Sequence, residues 1–172
     1  MVIGPESTGK STLCEQLAAH YKTRWVREFA REYLLEYGTS YRFDDLLTIA
    51  KGQIRLQSEA ESLCEENLLF VDTDMYVMKV WCEFVFDRCH NFILDQIVNK
   101  PNDMYLLCNP DLPWVKDELR EYPDPEARIM LYHIYKDILI NQNKPWIEIK
   151  GGYTQRLHSA IEGIDYNNRA SN

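Results

Sequence analysis

The sequence predicts an α/β protein, a three-layer α/β/α sandwich with a mainly parallel five-stranded sheet and a short lid. Three observations predict it. Apolar runs of strand length alternate with helical patterns along the whole chain. A glycine-rich turn, Gly4-Pro5-Glu6-Ser7-Thr8-Gly9-Lys10-Ser11, follows the first apolar run and opens the first helical pattern. The run Leu68-Leu69-Phe70-Val71 is apolar without interruption, as strands buried on both faces are, and ends in Asp72.

Taken in order, residues 1–3 read as the end of a strand, 11–21 as a helix and 24–26 as a second strand. Three residues are few for a central strand, so residues upstream of Met1 are expected. Residues 29–37 form a helix stopped by Gly38. Residues 44–67 read as one helix, with Leu46, Leu47, Ala50, Ile54 and Leu63 roughly on one face and Gly52 as a weak point. After the strand at 68–71, residues 75–99 are helical with a candidate break near His90 and Asn91, closed by Pro101. Residues 104–108 are a fourth strand, 127–141 a helix, 146–149 a fifth strand and 153–164 a last helix after Gly151-Gly152. The polar tail from Tyr166 to Asn172 should fray.

Composition narrows the class. A chain of 172 residues is expected to form a single domain, and surface scaling lets it bury about 70% of its unfolded surface. Hydrophobic residues at 45% and charged residues at 27% exclude a disordered chain. The net charge of −8, with no Lys/Arg cluster, argues against nucleic acid as the main partner. No apolar run approaches the length of a membrane span, and the N-terminal residues lack the apolar core of a secretory signal, so a cytoplasmic enzyme is expected. Five cysteines without a C-x-x-C pair read as reduced, mostly buried thiols.

The turn at 4–11 matches G-x-x-x-x-G-K-[ST] at each fixed position, with strand before and helix after, which places the chain among P-loop NTPases. Glycines let the backbone close around phosphate oxygens, and amides at the helix start point at the anion. The candidate ATP-binding residues are therefore Gly4, Glu6, Ser7, Thr8, Gly9, Lys10, Ser11 and Thr12. Lys10 reaches the β and γ phosphates, and Ser11 ligates Mg²⁺. Asp72 is the candidate to share that ion, at the end of a strand beside the first; Asp74 competes for the role and for the helix N-cap.

Phosphoryl transfer to an alcohol needs a carboxylate near the hydroxyl, and Glu28 lies just past the second strand with Arg31 one helical turn on. Glu28 fits a general base or a clamp on a ribose diol; a surface ion pair is the alternative for the two. Trp25 and Trp81 stand near the acceptor-side elements, where either can stack on a flat heterocycle or simply join the core. The polar, proline-containing stretch at 111–128 occupies the place of a lid. Arg120 and Arg128 are its candidates for compensating charge on the phosphoryl group, or for surface salt bridges to Glu118, Glu121 or Asp124.

With these residues in place, the chain resembles the ribosylnicotinamide kinase domain of the NadR family. The matching pieces are G-P-E-S-T-G-K-S-T at 4–12, V-R-E-F-A-R-E-Y at 26–33, and D-T-D with the following K-V-W within 72–81. Y-L-L-C-N-P-D-L-P-W-V at 105–115 and G-G-Y-x-x-R at 151–156 extend the likeness nearly end to end. The resemblance implies ATP- and Mg²⁺-dependent phosphorylation of nicotinamide riboside at its 5′-hydroxyl, giving nicotinamide mononucleotide. It supports Glu28, Arg31 and Asp74 as acceptor-side residues and Arg120 as a lid residue, without settling which carboxylate is the base. Larger family members carry adenylyltransferase and DNA-binding domains; this chain has no H-x-G-H and no length for either, so only the kinase step is implied.

Other readings stay open. Another nucleoside or metabolite alcohol could be the acceptor. A regulatory ATPase switch is a second class, but such proteins usually place a glutamate after the strand-ending aspartate, and here Thr73 follows Asp72. A nucleotide-binding module without turnover fits poorly with an intact Lys10, Ser11 and Asp72 set.

Overall fold

Every paired strand in the structure, a computed structural model that describes residues 1–65, 68–99 and 103–170, runs parallel to its neighbour. β1 (Val2–Ile3) pairs with β4 (Tyr105–Cys108), and β4 with β5 (Trp146–Ile149). β2 (Trp25–Val26) pairs with β3 (Phe70–Val71). The two groups meet where Val2 bridges Asp72 and the Thr73 amide donates to the Val2 carbonyl at 3.1 Å. The spatial order is thus β2-β3-β1-β4-β5, with only that one bridge at the β3–β1 seam. Both residues of β1 are fully buried and registered on Leu106 and Leu107.

The helices are α1 (Lys10–Tyr21), α2 (Phe29–Tyr37), α3 (Phe43–Ser62), α4 (Met75–Phe86), α5 (Asn91–Asn99), α6 (Pro125–Asn141) and α7 (Tyr153–Ala170). Strand alternation sends Val2, Leu106 and Cys108 to one face, under α1 and α7. Ile3, Tyr105 and Leu107 go to the other, under α4 and α6. A third apolar cluster, built on Leu46, Ile49, Met78 and Ile93, joins α3, α4 and α5. Among the described residues no helix is long and apolar enough to cross a membrane.

Several boundaries differ from the sequence pattern for physical reasons. β2 and β3 are shorter than the apolar runs that carry them. α3 stops at Ser62, and Leu63, assigned to its buried face, is 59% exposed. The stretch at 75–99 does break where expected: Asp87 adopts a left-handed conformation (φ 53°) and ends α4, and α5 starts at Asn91. Pro101 lies outside the described residues. α6 begins at Pro125, where a proline costs no hydrogen bond, with the Asp124 carboxylate accepting the Glu126 amide. α7 continues to Ala170 instead of fraying from Tyr166; the Tyr21 hydroxyl donates to Asp165 at 2.7 Å near that end.

Gly52 is a packing point where the sequence suggests a weak one. A Cβ there would stand 2.1 Å from the Phe29 ring, so the glycine is what lets α2 approach α3. Gly52→Ala should therefore lower the melting temperature. Ala gains about 1 kcal/mol of helix propensity, but overpacking against a ring costs about 1–3 kcal/mol. A raised melting temperature would show that the contact is slack.

Candidate active site

Functional side chains gather at the carboxyl ends of the parallel strands, where open α/β sheets bind ligands. β1 runs straight into Gly4, whose φ of 142° and close approach exclude other residues: a Cβ would lie 2.6 Å from the Cys108 carbonyl oxygen. The loop then turns into α1, and Gly9 at its N-cap brings no side-chain acceptor. The first-turn amides are left for an anion. Within the loop, Thr8 Oγ1 donates to the Pro5 carbonyl at 2.8 Å and Lys10 Nζ to the same oxygen at 2.9 Å.

Ser11 Oγ donates to Asp72 Oδ2 at 2.5 Å, across the seam between α1 and β3. Asp72 is 1% exposed, and its burial pushes its carboxyl above the ordinary range against the opposing pull of Lys10 and Ser11. A hydroxyl and a carboxylate are hard oxygen donors, and this pair fits Mg²⁺, which takes one or two protein oxygens beside phosphate and water. Among the described residues no group of three or more His, Cys, Asp or Glu gathers into a metal site made by protein alone.

Thr73, next along, is buried with φ 73°, a conformation rare for a β-branched residue. Its hydroxyl lies 3.5 Å from Asp72 Oδ1 and also bonds Glu28. Burial, then the charge of Asp72, raises the Glu28 carboxyl above its usual range, while Lys10, Thr73 and Arg31 oppose the shift. One cleft of about 990 Å³ is lined by the loop at 4–12 together with Trp25, Glu28, Arg31, Asp72, Trp81 and Arg120. Every sequence-predicted site residue except Asp74 and Arg128 therefore faces one space.

Asp74 does not. Its carboxylate caps α4, accepting the Tyr76 and Val77 amides at 2.9 and 3.2 Å, and it lines a separate cavity of about 20 Å³. Burial pushes its carboxyl up to about 6. Arg128 is likewise displaced from the cleft wall. It is 4% exposed beneath the loop, donating to the Ser7 and Leu112 carbonyls at 3.3 Å each. Glu6 lines the cleft, but its carboxylate turns to the segment at 111–124. It accepts Trp114 Nε1 at 2.9 Å and the Glu121 and Tyr122 amides at 2.9 and 2.8 Å. A carboxylate there would repel a phosphate, and instead it accepts from the 111–124 segment and fastens it to the loop.

Other contacts fasten the same segment. The Val115 amide donates to Ser7 Oγ at 3.0 Å, Arg31 pairs with Asp117 at 2.7 Å, and Tyr41 donates to Glu121 at 3.0 Å. Arg31 holds Asp117 below the usual carboxylate range. Trp81 is fixed in turn, its indole donating to the Tyr41 hydroxyl at 2.9 Å. Arg120 donates to the Val115 carbonyl, so it curls along the lid with its side chain at the cleft. Charge-assisted bonds are worth about 1.5–3 kcal/mol each. Glu6→Ala should accordingly speed tryptic cleavage after Lys116 and Arg120 by about 10-fold or more, and unchanged cleavage would remove Glu6 as the fastener.

Three residues at the site carry no role in the sequence reading, although two of them lie in the G-G-Y-x-x-R piece. Arg156, 1% exposed, ties the site from behind: Nε donates to Gly151, Nη1 to the Thr8 and Ile149 carbonyls, and Nη2 to the Asn109 carbonyl and Asp111. Its signal is an arginine within the G-G-Y-x-x-R piece. Tyr153 lines the cleft against Gly9. Gln53 is a buried polar residue on the apolar face of α3. All five cysteines are free, three of them buried, and burial pushes the Cys108 thiol up to about 12.

Known proteins resemble this chain in sequence and fold. A protein-family profile described as an AAA domain matches residues 1–156. The trifunctional NAD biosynthesis/regulator proteins NadR of Salmonella typhimurium and Escherichia coli are each 26% identical over 166 residues, 94% of this chain and 40% of their own length. A crystal structure of NadR protein in complex with NR superposes with a TM-score of 0.79 at 24% identity, over 96% of this chain and 49% of that one. A second, in complex with NAD and AMP-PNP, gives 0.76 at 23% identity over 96% and 48%. This chain thus spans less than half the length of the relatives it matches. It has the P-loop α/β fold, it belongs to the AAA-domain family, and the NadR proteins are its relatives in sequence and fold.

Proposed function

We propose that this chain is a small-molecule kinase that transfers the γ-phosphoryl group of ATP to the 5′-hydroxyl of nicotinamide riboside. The observation that carries this is that Glu28 lines the same cleft as Lys10, Ser11 and Asp72. Support comes from the related NadR structures, one holding NR and the other AMP-PNP. The hydroxyl oxygen forms the new bond to phosphorus as the bond to the β–γ bridging oxygen breaks, and ADP leaves with that electron pair. Glu28 accepts the hydroxyl proton. Burial and the Asp72 charge raise its proton affinity above that of an ordinary carboxylate, which suits a general base.

Lys10 and the α1 amides hold the transferring group, and Arg120 adds positive charge from the lid. Ser11 and Asp72 would hold Mg²⁺, which when bound offsets phosphate charge. Trp81, held by Tyr41, and Trp25 offer flat faces to the base of a nucleoside. Folding of the segment at 111–124 over bound ATP would exclude water, the competing acceptor. Ranking kcat/KM over nicotinamide riboside, other ribonucleosides and simple alcohols tests the acceptor. Preference for the riboside supports the assignment; preference for another nucleoside keeps the kinase and replaces its substrate.

The AAA-domain profile favours one competitor, a regulatory ATPase. Against it, the residue after Asp72 is Thr73, which has no carboxylate to activate water. ADP release indifferent to any acceptor would favour that competitor.

A further inference from the structure

Gln53 belongs to none of the motifs, yet it is 2% exposed and its side chain bonds three backbone groups. Oε1 accepts the Phe29 amide at 2.7 Å, while Nε2 donates to the Arg27 and Asp72 carbonyls at 3.3 Å each. Arg27 and Phe29 flank Glu28, so one amide grips the chain on both sides of the acceptor-side carboxylate. The same amide grips the backbone of the phosphate-side carboxylate.

The β-ladder does not reach this far. Its last bond in this direction, from the Asp72 amide to the Val26 carbonyl at 2.9 Å, falls two residues before Glu28. Glu28 then starts α2 without a side-chain cap bond. The turn carrying Glu28 is tied back to β3 through Gln53. Beside it, Phe29 packs on Gly52, so α3 backs the grip with a rigid contact. Only a primary amide of this length supplies an acceptor for one N–H and donors for two carbonyls; a carboxylate lacks the donors and an apolar side chain lacks both.

We propose that Gln53 is a positioning residue for phosphoryl transfer, setting the separation between Glu28 and Asp72. It touches neither reactant and acts through the backbone. This rests on the assignment of Glu28 to the acceptor side.

The test uses the whole chain with two substitutions. Gln53→Leu removes all three bonds; Gln53→Glu keeps the acceptor for Phe29 and loses the donors. Transfer kcat should fall by about 100-fold in the Leu variant, the cost of displacing reacting groups by about 1 Å, and by less in the Glu variant. ATP affinity and slow acceptor-independent hydrolysis should stay within about threefold, a split that a merely structural residue would not produce. The Glu variant decides the kinetics if the Leu variant does not fold. Either folded variant with wild-type kcat overturns the proposal, as does loss of ATP binding in step with transfer. Wild-type protein inactive on every acceptor contradicts the proposed function instead. In that case amide exchange decides: Phe29 should lose protection in the Leu variant, and unchanged protection overturns the brace.

Discussion

Lys10→Ala should lower kcat for phosphoryl transfer by about 10³-fold or more while the protein stays folded. The ammonium is the one side-chain cation inside the 4–12 loop, and it lies beside the buried Asp72 carboxylate that it helps keep ionised. Losing a preorganised charge on a transferring group costs about 10²–10³-fold even for a single neutral donor. The substitution has a second effect with the same sign. Without Lys10, Asp72 and Glu28 both lose a favourable charge, and both carboxyls move further up. Single-turnover transfer with ATP saturating is the measurement; a kcat within tenfold of wild type would mean that the loop binds nucleotide without taking part in the chemistry.

Glu28→Gln comes next in size, with kcat falling by about 10²–10⁴-fold and ATP affinity unchanged. The amide keeps shape and hydrogen bonding but accepts no proton. Its pH profile carries the sharper signature. In the wild type, burial and the Asp72 charge raise the Glu28 carboxyl, so activity should fall, as pH is lowered, while still above the ordinary carboxylate range. That limb belongs to the Glu28 and Asp72 pair jointly. In the variant one titrating member is gone, and the limb should move to lower pH. An equal loss of ATP affinity and kcat would place Glu28 on the nucleotide side.

Much of the site was legible because its chemistry demands fixed residue types at fixed spacing. Gly4, Lys10, Ser11 and Asp72 come together at one cleft, since a glycine-rich turn and the strand beside it fix them through local backbone. Glu28, Arg31, Trp81 and Arg120 also reach the cleft. The failures share a cause. Asp74 takes the N-cap that the sequence offered beside its acceptor role, and burial under the loop claims Arg128, because sequence spacing cannot see which way a side chain turns. Glu6 follows the motif, yet its partners are more than a hundred residues away. Gln53 and Thr73 act through contacts between elements, with no pattern of their own. Of the fold, the alternation of parallel strands with helices and the break before Asn91 were legible, while strand order, the short β2 and β3 and the length of α7 depend on packing between elements.

The most direct test of the central claim is ADP release from Mg·ATP with and without nicotinamide riboside, with the product identified by mass. The account predicts ADP formation that depends on the riboside and matches, mole for mole, a product heavier by one phosphoryl group. ADP formed at the same rate without the riboside, with no phosphorylated product, would contradict it.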